Sequence, residues 1–281
     1  MKIEEIGSIA RQRLGQSHAA VVVGSSQHGI FMSLDIGWIV FLSLEAQHGP
    51  LTLNLSDSKD LTLSLPNGRL AQVTSQGIFF HDPELLIIAD QAQTWCAPPR
   101  SRPALPVDQR REILNEVIER AQSARQVDSL AALQGVRAEP VQLNQAVMRF
   151  YPHLIRLAAH SVGQLDLHSV EALLGMGSGL TPSGDDIILG LLLVLNRWGD
   201  VLTPELDCAI INPEVLALAY AHTTTLSANL IACASLGQAD ERLVTALDGL
   251  VTGGPGVSET TVNLMGWGHS SGLDALCGMA C

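Results

Sequence analysis

The strongest constraint on the fold is a glycine-rich segment that runs directly into nine consecutive apolar residues. Residues 175–186 read Gly-Met-Gly-Ser-Gly-Leu-Thr-Pro-Ser-Gly-Asp-Asp, and the apolar run Ile187–Leu195 follows. This run is about half as long as a membrane span, so we predict a buried core helix. Pro182 is favoured in a first helical turn, and Thr181 or Ser183 can cap the free amides. Such a helix start offers N–H donors that suit phosphate or carboxylate.

A related segment occurs near the C-terminus. His269–Gly278 can be laid on Thr181–Gly190, and both segments contain Ser-Gly-x-Asp-x-x-x-Gly. In a helix, the serine, the aspartate and the last glycine of each copy lie on one stripe. Glycine on these stripes would let the two helices approach closely. We therefore predict that the two helix starts converge on one site, with Ser183 and Ser271 close in space.

The acidic residues of the repeat have two interpretations. Ser-x-x-Asp resembles a capping box, so Asp186 and Asp274 are either caps or working carboxylates. Asp185 has no counterpart in the second copy, where Leu273 stands, and capping does not explain it. It is either a solvated acid that favours the helix dipole or a group that transfers a proton. The predicted catalytic residues are Asp185, Asp186, His269 and Asp274, and the alternative for His269 is an inert loop histidine.

The predicted ligand-binding residues are small or hydroxyl-bearing and belong to the two loops or to the polar cluster His222–Asn229. They are Gly177, Gly179, Thr181, Ser183, Gly184, Thr224, Ser227, Ser270, Ser271 and Gly272. The alternative for the glycines is a helix C-cap and tight turns without a ligand. For Thr224 and Ser227 the alternative is a cap with hydroxyls bonded to the preceding turn.

A cofactor is expected only if the acids need one. The carboxylates would repel a bare phosphate, so either their partners neutralise them or a magnesium ion bridges acid and phosphate. Asp185 and Asp186 would then be the magnesium ligands. Otherwise we expect no metal and no cofactor.

Charge and cysteine content limit the class of protein. The net charge of -12 over 281 residues argues against nucleic acid as a partner. Nine of the sixteen basic residues fall between Arg100 and Arg156, so helix amides or an arginine from that segment must attract an anion. Five cysteines without Cys-x-x-Cys spacing predict reduced thiols in a cytoplasmic protein. The N-terminus has no apolar signal core, and no membrane partner is expected.

The chain changes character near Cys96. Short apolar runs separated by turn residues precede it and predict an antiparallel β barrel or sandwich. The runs are Ala20–Val23, Ile30–Leu34, Trp38–Leu44, Leu51–Leu55, Leu61–Leu65, Leu70–Val73, Ile78–Phe80 and Leu85–Ile88. Cys96–Pro106 is a proline-rich connector, and helical periodicity follows it. The predicted class is α+β, with a β-rich domain over residues 1–95, a linker over 96–106 and an all-α domain over 107–281.

Helices are predicted throughout the second domain. One begins at Asp108, others cover residues 142–161, 169–174, 182–197, 214–234, 239–251 and 258–266, and the last begins at Ser270.

The two motifs together resemble a prokaryotic family, domain of unknown function 2877 (DUF2877). The resemblance rests on Gly-x-Gly-x-Gly-Leu-Thr-Pro-Ser-x-Asp-Asp and on the late Gly-His-Ser-Ser-Gly-x-Asp, and it extends to Thr223–Leu230 and the β-rich half. One branch of the family is a subunit of oxamate carbamoyltransferase, from anaerobic allantoin breakdown. That enzyme interconverts oxalurate plus phosphate with oxamate plus carbamoyl phosphate. It works with two other subunits, one of which is similar to succinyl-CoA synthetase.

The resemblance implies a carbamoyltransferase subunit that binds phosphate, carbamoyl phosphate or an oxamate-like anion between the two helix starts. The amides of Ser183, Gly184, Ser271 and Gly272 would form the cradle, and His269 or Asp185 would move the proton. The rival hypothesis is a non-catalytic subunit that binds a small anion or only its partner subunits. A third is a purely structural packing motif.

The family usually continues past the second motif. Here the sequence ends at Cys281, three residues after Gly278, which leaves little room for the last helix. The sequence therefore suggests a truncated copy.

Overall fold

A computed structural model describes residues 1–56, 65–74, 76–82, 84–137, 145–159 and 164–281. The chain divides into two compact units, Met1–Ala97 and Pro98–Cys281. The described residues of the first unit contain the strands and one short helix, and those of the second contain helices and no strand. The predicted α+β class, a β-rich first part followed by a helical part, is confirmed.

The first unit is built on one sheet. Its strands are β1 (Ile3–Gly7), β2 (Ala19–Ser26), β3 (Gly29–Leu34), β4 (Ile39–Ser43), β5 (Thr52–Leu55), β6 (Leu70–Thr74), β7 (Gly77–His81), β8 (Glu84–Ile88) and β9 (Gln93–Trp95). They are ordered β8-β7-β6-β2-β3-β4-β5-β1-β9. Exposed and buried residues alternate along β6, as expected for a sheet with one face on the core.

The sheet is mixed and curled. The pairings of β4 with β5 and of β1 with β9 are parallel, whereas the other strand pairings are antiparallel. Parallel neighbours need a connection longer than a tight hairpin, and residues 44–51 supply one between β4 and β5. The sheet forms a half-barrel, in which Ile88 of β8 bridges Lys2 just before β1. Ile30, Met32 and Phe80 fill its fully buried interior.

The helices bury the longest apolar run of the chain. They are α1 (Ser8–Leu14), α2 (Val107–Ala124), α3 (Asp128–Arg137), α4 (Gln145–Ala158), α5 (Leu167–Leu173), α6 (Ser183–Leu202), α7 (Cys208–His222), α8 (Thr225–Ala234), α9 (Glu241–Thr252), α10 (Val257–Gly266) and α11 (Ser271–Met279). Every residue of Ile187–Leu195 is buried in α6, which confirms the predicted core helix. Within the described residues, no helix combines the length and the apolarity that crossing a bilayer requires.

One predicted helix needs correction, and one helix was missed. The helix predicted over residues 214–234 is two helices, because Thr223 has extended backbone dihedrals and Thr224 caps α8. Helix α3 was not predicted at all. Residues 142–144 and 160–161 of the predicted helix over 142–161 lie outside the described residues, as do residues 61–64 of the apolar run Leu61–Leu65.

Candidate functional site

Helices α6 and α11, which carry the two copies of the repeat, cross in direct backbone contact. A Cβ atom on Gly190 would collide with the carbonyl oxygen of Ala275, and one on Gly278 would collide with that of Ile187. The last glycine of each motif therefore packs on the backbone of the other helix. This is the close approach that the repeat predicts.

The starts of the two helices converge, and each copy contacts the other. The hydroxyl of Ser271 interacts with the Asp186 carboxyl, and the hydroxyl of Ser183 interacts with the Asp274 carboxyl. The Oγ1 atom of Thr181 and the Oγ atom of Ser271 lie 3.2 Å apart. The serine hydroxyl of each motif thus interacts with the aspartate carboxyl of the other motif, as expected for two copies related by an approximate twofold axis.

Asp186 is an acid buried at this crossing. It is 1% exposed, and its Oδ2 atom has no hydrogen-bond partner among the described residues. Burial raises the pKa of the Asp186 carboxyl well above its usual range, and the nearby charge of Asp274 adds to the rise. Hydrogen bonds from Ser271 and Thr181 oppose it. The surroundings therefore favour the neutral carboxylic acid.

Asp274 is the corresponding acid of α11 and is fully buried. Ser129, the second residue of α3, donates its hydroxyl proton to Oδ1 of Asp274, while Oδ2 has no partner among the described residues. Burial raises the pKa of the Asp274 carboxyl, and the hydroxyls of Ser129, Ser270 and Ser183 partly oppose the rise. A ring of serines thus surrounds this acid.

The capping-box interpretation of Asp186 and Asp274 is wrong. The N-cap positions of α6 and α11 are Pro182 and Ser270, and neither has a side-chain cap hydrogen bond. The acids face hydroxyl groups of neighbouring segments instead. Pro182 also lies one position earlier than the first helical turn, in which we predicted it.

Asp185 is buried and anchors the glycine loop. It is 1% exposed, and its Oδ1 atom accepts the amide of Gly175 at 2.7 Å. Its Oδ2 atom accepts the hydroxyl of Thr223, so the carboxylate joins the loop to the segment before α8. Neither a solvated acid nor an exposed proton donor describes this position.

An open cleft of about 830 Å³ lies beside the Asp274 side of the crossing. Its lining comes from the turn after α2, the start of α3, helix α4, the glycine loop and the residues before α11. Four of the predicted site residues line it: Gly177, Ser183, His269 and Ser270. The lining includes Arg125, Arg149, Asp128, Ser129 and Ser178 as further polar residues.

The cleft has basic residues that the motifs did not identify. Arg125 follows α2 and Arg149 lies on α4, and both belong to the basic segment Arg100–Arg156. The guanidinium of Arg125 donates to the carbonyl oxygen of His269, which ties the α2 end to the second motif. Ser129 was also missed, although Asp128-Ser129 at the start of α3 is a sequence typical of a helix start.

Only two of the four amides predicted to bind the anion are free of a hydrogen-bond acceptor within the described residues. The amide of Gly184 donates to the Met176 carbonyl at 2.8 Å, and that of Gly272 donates to the Trp267 carbonyl at 3.0 Å. These two glycines instead allow contact with the backbones of Leu173 and Leu264. The helix-start amides of Ser183 and Ser271 have no acceptor within the described residues.

The remaining predicted residues lie outside the cleft lining. Thr224 accepts the amide of Ser227 at 3.1 Å and donates to the Leu180 carbonyl at 2.9 Å, so it caps α8 and holds the loop. Ser227 is buried. Gly179 has a φ of +99° and a Cβ there would meet nothing, so the loop requires it for its backbone conformation. Thr181, Ser271 and Gly272 belong to the helix crossing itself.

Asp185 and Asp186 do not fit a magnesium site. Magnesium is held through carboxylates at octahedral geometry with several waters retained. Both oxygens of Asp185 already accept hydrogen bonds from the chain, and Asp186 is enclosed beside Ser271 and Thr181. Within the described ranges, no group of three or more His, Cys, Asp or Glu side chains is placed to hold a metal ion.

A family model matches the part of the chain that carries the repeat. Residues 173–281 match the family model described as oxamate carbamoyltransferase subunit AllH. The match contains the glycine loop, both copies of the repeat and the cluster His222–Asn229, whereas Arg125, Ser129 and Arg149 precede it. No curated protein and no solved structure matches the chain. The match agrees with the resemblance read from the motifs, and residues 173–281 are similar to the family described as oxamate carbamoyltransferase subunit AllH.

Proposed function

We propose that this chain is a subunit of a carbamoyltransferase and that the cleft binds its small anionic substrates, of the oxamate and carbamoyl phosphate type. The observation that carries the proposal is the meeting of Arg125 and Arg149 with the start of α6 and with His269 in one cleft. Guanidinium groups and helix starts are the features that bind carboxylate and phosphate. The family match supplies the reaction class.

The cleft suits a small ligand in size and charge. Its volume of about 830 Å³ lies within the range of small-molecule sites. The chain carries a net charge of -12, so a local cluster of arginines is needed to attract an anion. Asp128 is the one acid among the described lining residues, and it is exposed, whereas Asp274 is enclosed by serines.

In the proposed reaction, each part of the cleft has a role. The amide nitrogen of oxamate attacks the carbamoyl carbon of carbamoyl phosphate, and the bond from that carbon to the phosphate oxygen breaks. Oxalurate forms, phosphate leaves with the bonding electrons, and the nitrogen loses one proton. Arg125 and Arg149 would hold the phosphate, and the free amide of Ser183 would stabilise the developing oxyanion. His269, exposed at the same cleft, would take the proton.

The cleft is open, so partner subunits have room to complete it. The family name describes a subunit, and we propose that this chain works in a complex that includes a subunit similar to succinyl-CoA synthetase. The rival function, a non-catalytic anion-binding or assembly subunit, uses the same cleft without the proton transfer. Single-turnover activity of the isolated and the assembled chain separates the two.

Binding of inorganic phosphate tests the site directly. Arg149→Ala removes one exposed guanidinium, and a lost charged hydrogen bond of about 1.5–3 kcal/mol should weaken binding at least tenfold. Arg111→Ala removes an equally exposed guanidinium outside the cleft and should leave the affinity unchanged. Titration calorimetry on the full chain measures both. Equal affinity in the wild type and in Arg149→Ala would place phosphate elsewhere.

A further inference from the structure

Helix α7 is apolar on two opposite faces. Its inner face, on which Ile211, Val215 and Ala219 are buried, packs on α5 and α8. Its outer face carries a second apolar stripe, at the three- and four-residue spacing of one side of a helix. The exposed residues of this stripe are Ile210, Pro213, Ala217, Tyr220 and Ala221, with Glu214 among them. A helix that is apolar on all sides is normally buried, but within the described residues α7 is covered on one side only.

The outer face of α7 has the dimensions of a helix-docking surface. Ile210 is 63% exposed and Tyr220 is 51% exposed, so large apolar side chains stand at both ends of the stripe. From Ile210 to Ala221 the helix rises roughly 16 Å. Apolar residues spaced in this way along one exposed face are what a second helix packs against. The stripe is therefore a candidate protein–protein contact.

The charges around the stripe limit what can cover it. Helix α7 contains no Lys or Arg, and the sequence has only Arg242 as a Lys or Arg after Arg197. Glu214 lies near the middle of the stripe, so a second copy docked on it through a twofold axis would bring its own Glu214 close to the first. Like charges that face each other oppose association. The charge pattern therefore favours a different protein, with a Lys or Arg opposite Glu214.

The C-terminal end of α7 is joined to the glycine loop. A Cβ atom on Gly175 would lie 2.7 Å from the carbonyl oxygen of His222, and Thr223 donates its hydroxyl proton to Asp185. Among the described residues, none from α7 lines the cleft. A protein bound to the outer face would thus rest on the helix that supports the glycine loop, without displacing a ligand from the cleft.

We propose that the outer face of α7 is the docking surface for a partner subunit, which presents an apolar helix with a Lys or Arg opposite Glu214. The inference rests on the proposed function, in which the chain works in a complex, and it assigns the contact to one helix. The apolar stripe would supply the buried area that stabilises the contact. Glu214 would fix the register of the two helices and oppose pairing with a second copy.

Binding of the two proposed partner subunits to full-length variants tests this surface. Glu214→Lys places a positive charge opposite the partner's base, and Ala217→Lys places a long charged side chain in the middle of the stripe. Each variant should bind one of the partner subunits at least about tenfold more weakly than the wild type does. Glu116→Lys on α2 and Ala158→Lys on α4 make the same changes at exposed positions outside the stripe and should leave the affinity unchanged. Biolayer interferometry with purified subunits measures the dissociation constants.

Phosphate binding reports separately on the fold of each variant. Because α7 does not contribute to the described cleft lining, Glu214→Lys and Ala217→Lys should bind phosphate within about twofold of the wild type. Equal partner binding by the wild type and both variants would overturn the inference and leave the proposed complex intact. A dimer of the isolated chain in sedimentation, made monomeric by Ala217→Lys, would assign the stripe to a second copy and overturn the inference as well. A wild-type chain that binds neither partner subunit would remove the proposed complex and this surface together.

Discussion

Two carboxyl groups, Asp186 and Asp274, are buried in the helical unit, and neither has a basic side chain as a hydrogen-bond partner among the described residues. An unpaired charge is costly in such a place, so the neutral acid is the form that fits the fold. The hydrogen bonds from the hydroxyls around each acid stabilise its charged form, but they do not offset the effect of burial. At the scale of single residues, these acids therefore make folding and protonation interdependent.

Stability should fall as the pH rises through the folded pKa of Asp186. The folded pKa is raised above the unfolded value of about 3.9, so the folded state holds a proton that the unfolded state releases. The stabilisation is complete below about pH 3.9 and is lost as the pH rises through the folded pKa. In that window the free energy of unfolding of the wild type should decrease relative to Asp186→Asn, by up to about 1.4 kcal/mol per pH unit. Urea unfolding from pH 4 to 8 measures the difference, and a constant difference would show that the acid is charged in both states.

Asp185→Asn should destabilise the protein even though it removes only one oxygen. Asparagine has one acceptor oxygen. If that oxygen keeps the Gly175 amide, the NH₂ group faces the Thr223 hydroxyl, which loses its charged acceptor and must turn its proton away. We expect a loss of about 1–3 kcal/mol in the free energy of unfolding. Glu116→Gln makes the same change at an exposed position of α2 and should cost less than about 0.5 kcal/mol. Equal stability of the two variants would contradict the anchoring role.

The sequence identified these acids but not their partners. Asp185 and Asp186 are adjacent and both precede an apolar run, so the motif alone gives no reason for one to hold a loop and the other to face a second helix. The partners of Asp186 are Thr181 of the same loop and Ser271, whereas those of Asp185 are the Gly175 amide and the Thr223 hydroxyl. Hydrogen-bond partners that are distant in sequence are set by packing, and packing is not encoded in a local pattern.

At the scale of elements, the crossing of α6 and α11 depends on glycines that meet backbone. Gly190→Ala should cost about 1–3 kcal/mol or more, because its Cβ atom would collide with the Ala275 carbonyl and the two helices would have to separate. Gly199→Ala is a control on the same helix, where a Cβ atom would make only ordinary contacts with Thr203 and Cys208. That change should be neutral or stabilising by up to about 1 kcal/mol. Thermal unfolding of the two variants measures the contrast, and similar melting temperatures would argue against close packing.

The repeat predicted this crossing because a stripe of small residues has a direct geometric consequence. The strand-rich first unit was also predictable, since period-two alternation and turn residues mark short strands. Helix α3 was not, because its sequence has only a weak apolar face. In the sequence, the break between α7 and α8 shows only as a polar cluster. Thr224 of this cluster caps α8 and donates its hydroxyl proton to the Leu180 carbonyl of the distant glycine loop.

At the scale of the helical unit, the cleft joins segments that lie far apart in the chain. Arg125 and Arg149 precede the glycine loop, and His269 and Ser270 lie near the end. Composition could place the needed positive charge between Arg100 and Arg156, but only the fold selects two of the nine arginines there. The motifs identified Gly177, Ser183, His269 and Ser270 of the candidate site, whereas the two arginines that an anion requires are identified only by the tertiary structure.

The proposed proton transfer by His269 can be tested in the assembled complex. His269 is exposed at the cleft, and the Arg125 contact uses its backbone carbonyl, so its ring can be changed without breaking that contact. His269→Asn should leave the dissociation constant of phosphate within about twofold, because the guanidinium groups remain. If His269 takes the proton from the amide nitrogen, the single-turnover rate of the complex should fall by about a hundredfold or more. His18→Asn changes an exposed histidine of the other unit and should leave the rate unchanged. A His269 variant with full activity would assign the proton transfer to a partner subunit and favour the non-catalytic role, since the anion site would persist without the chemistry.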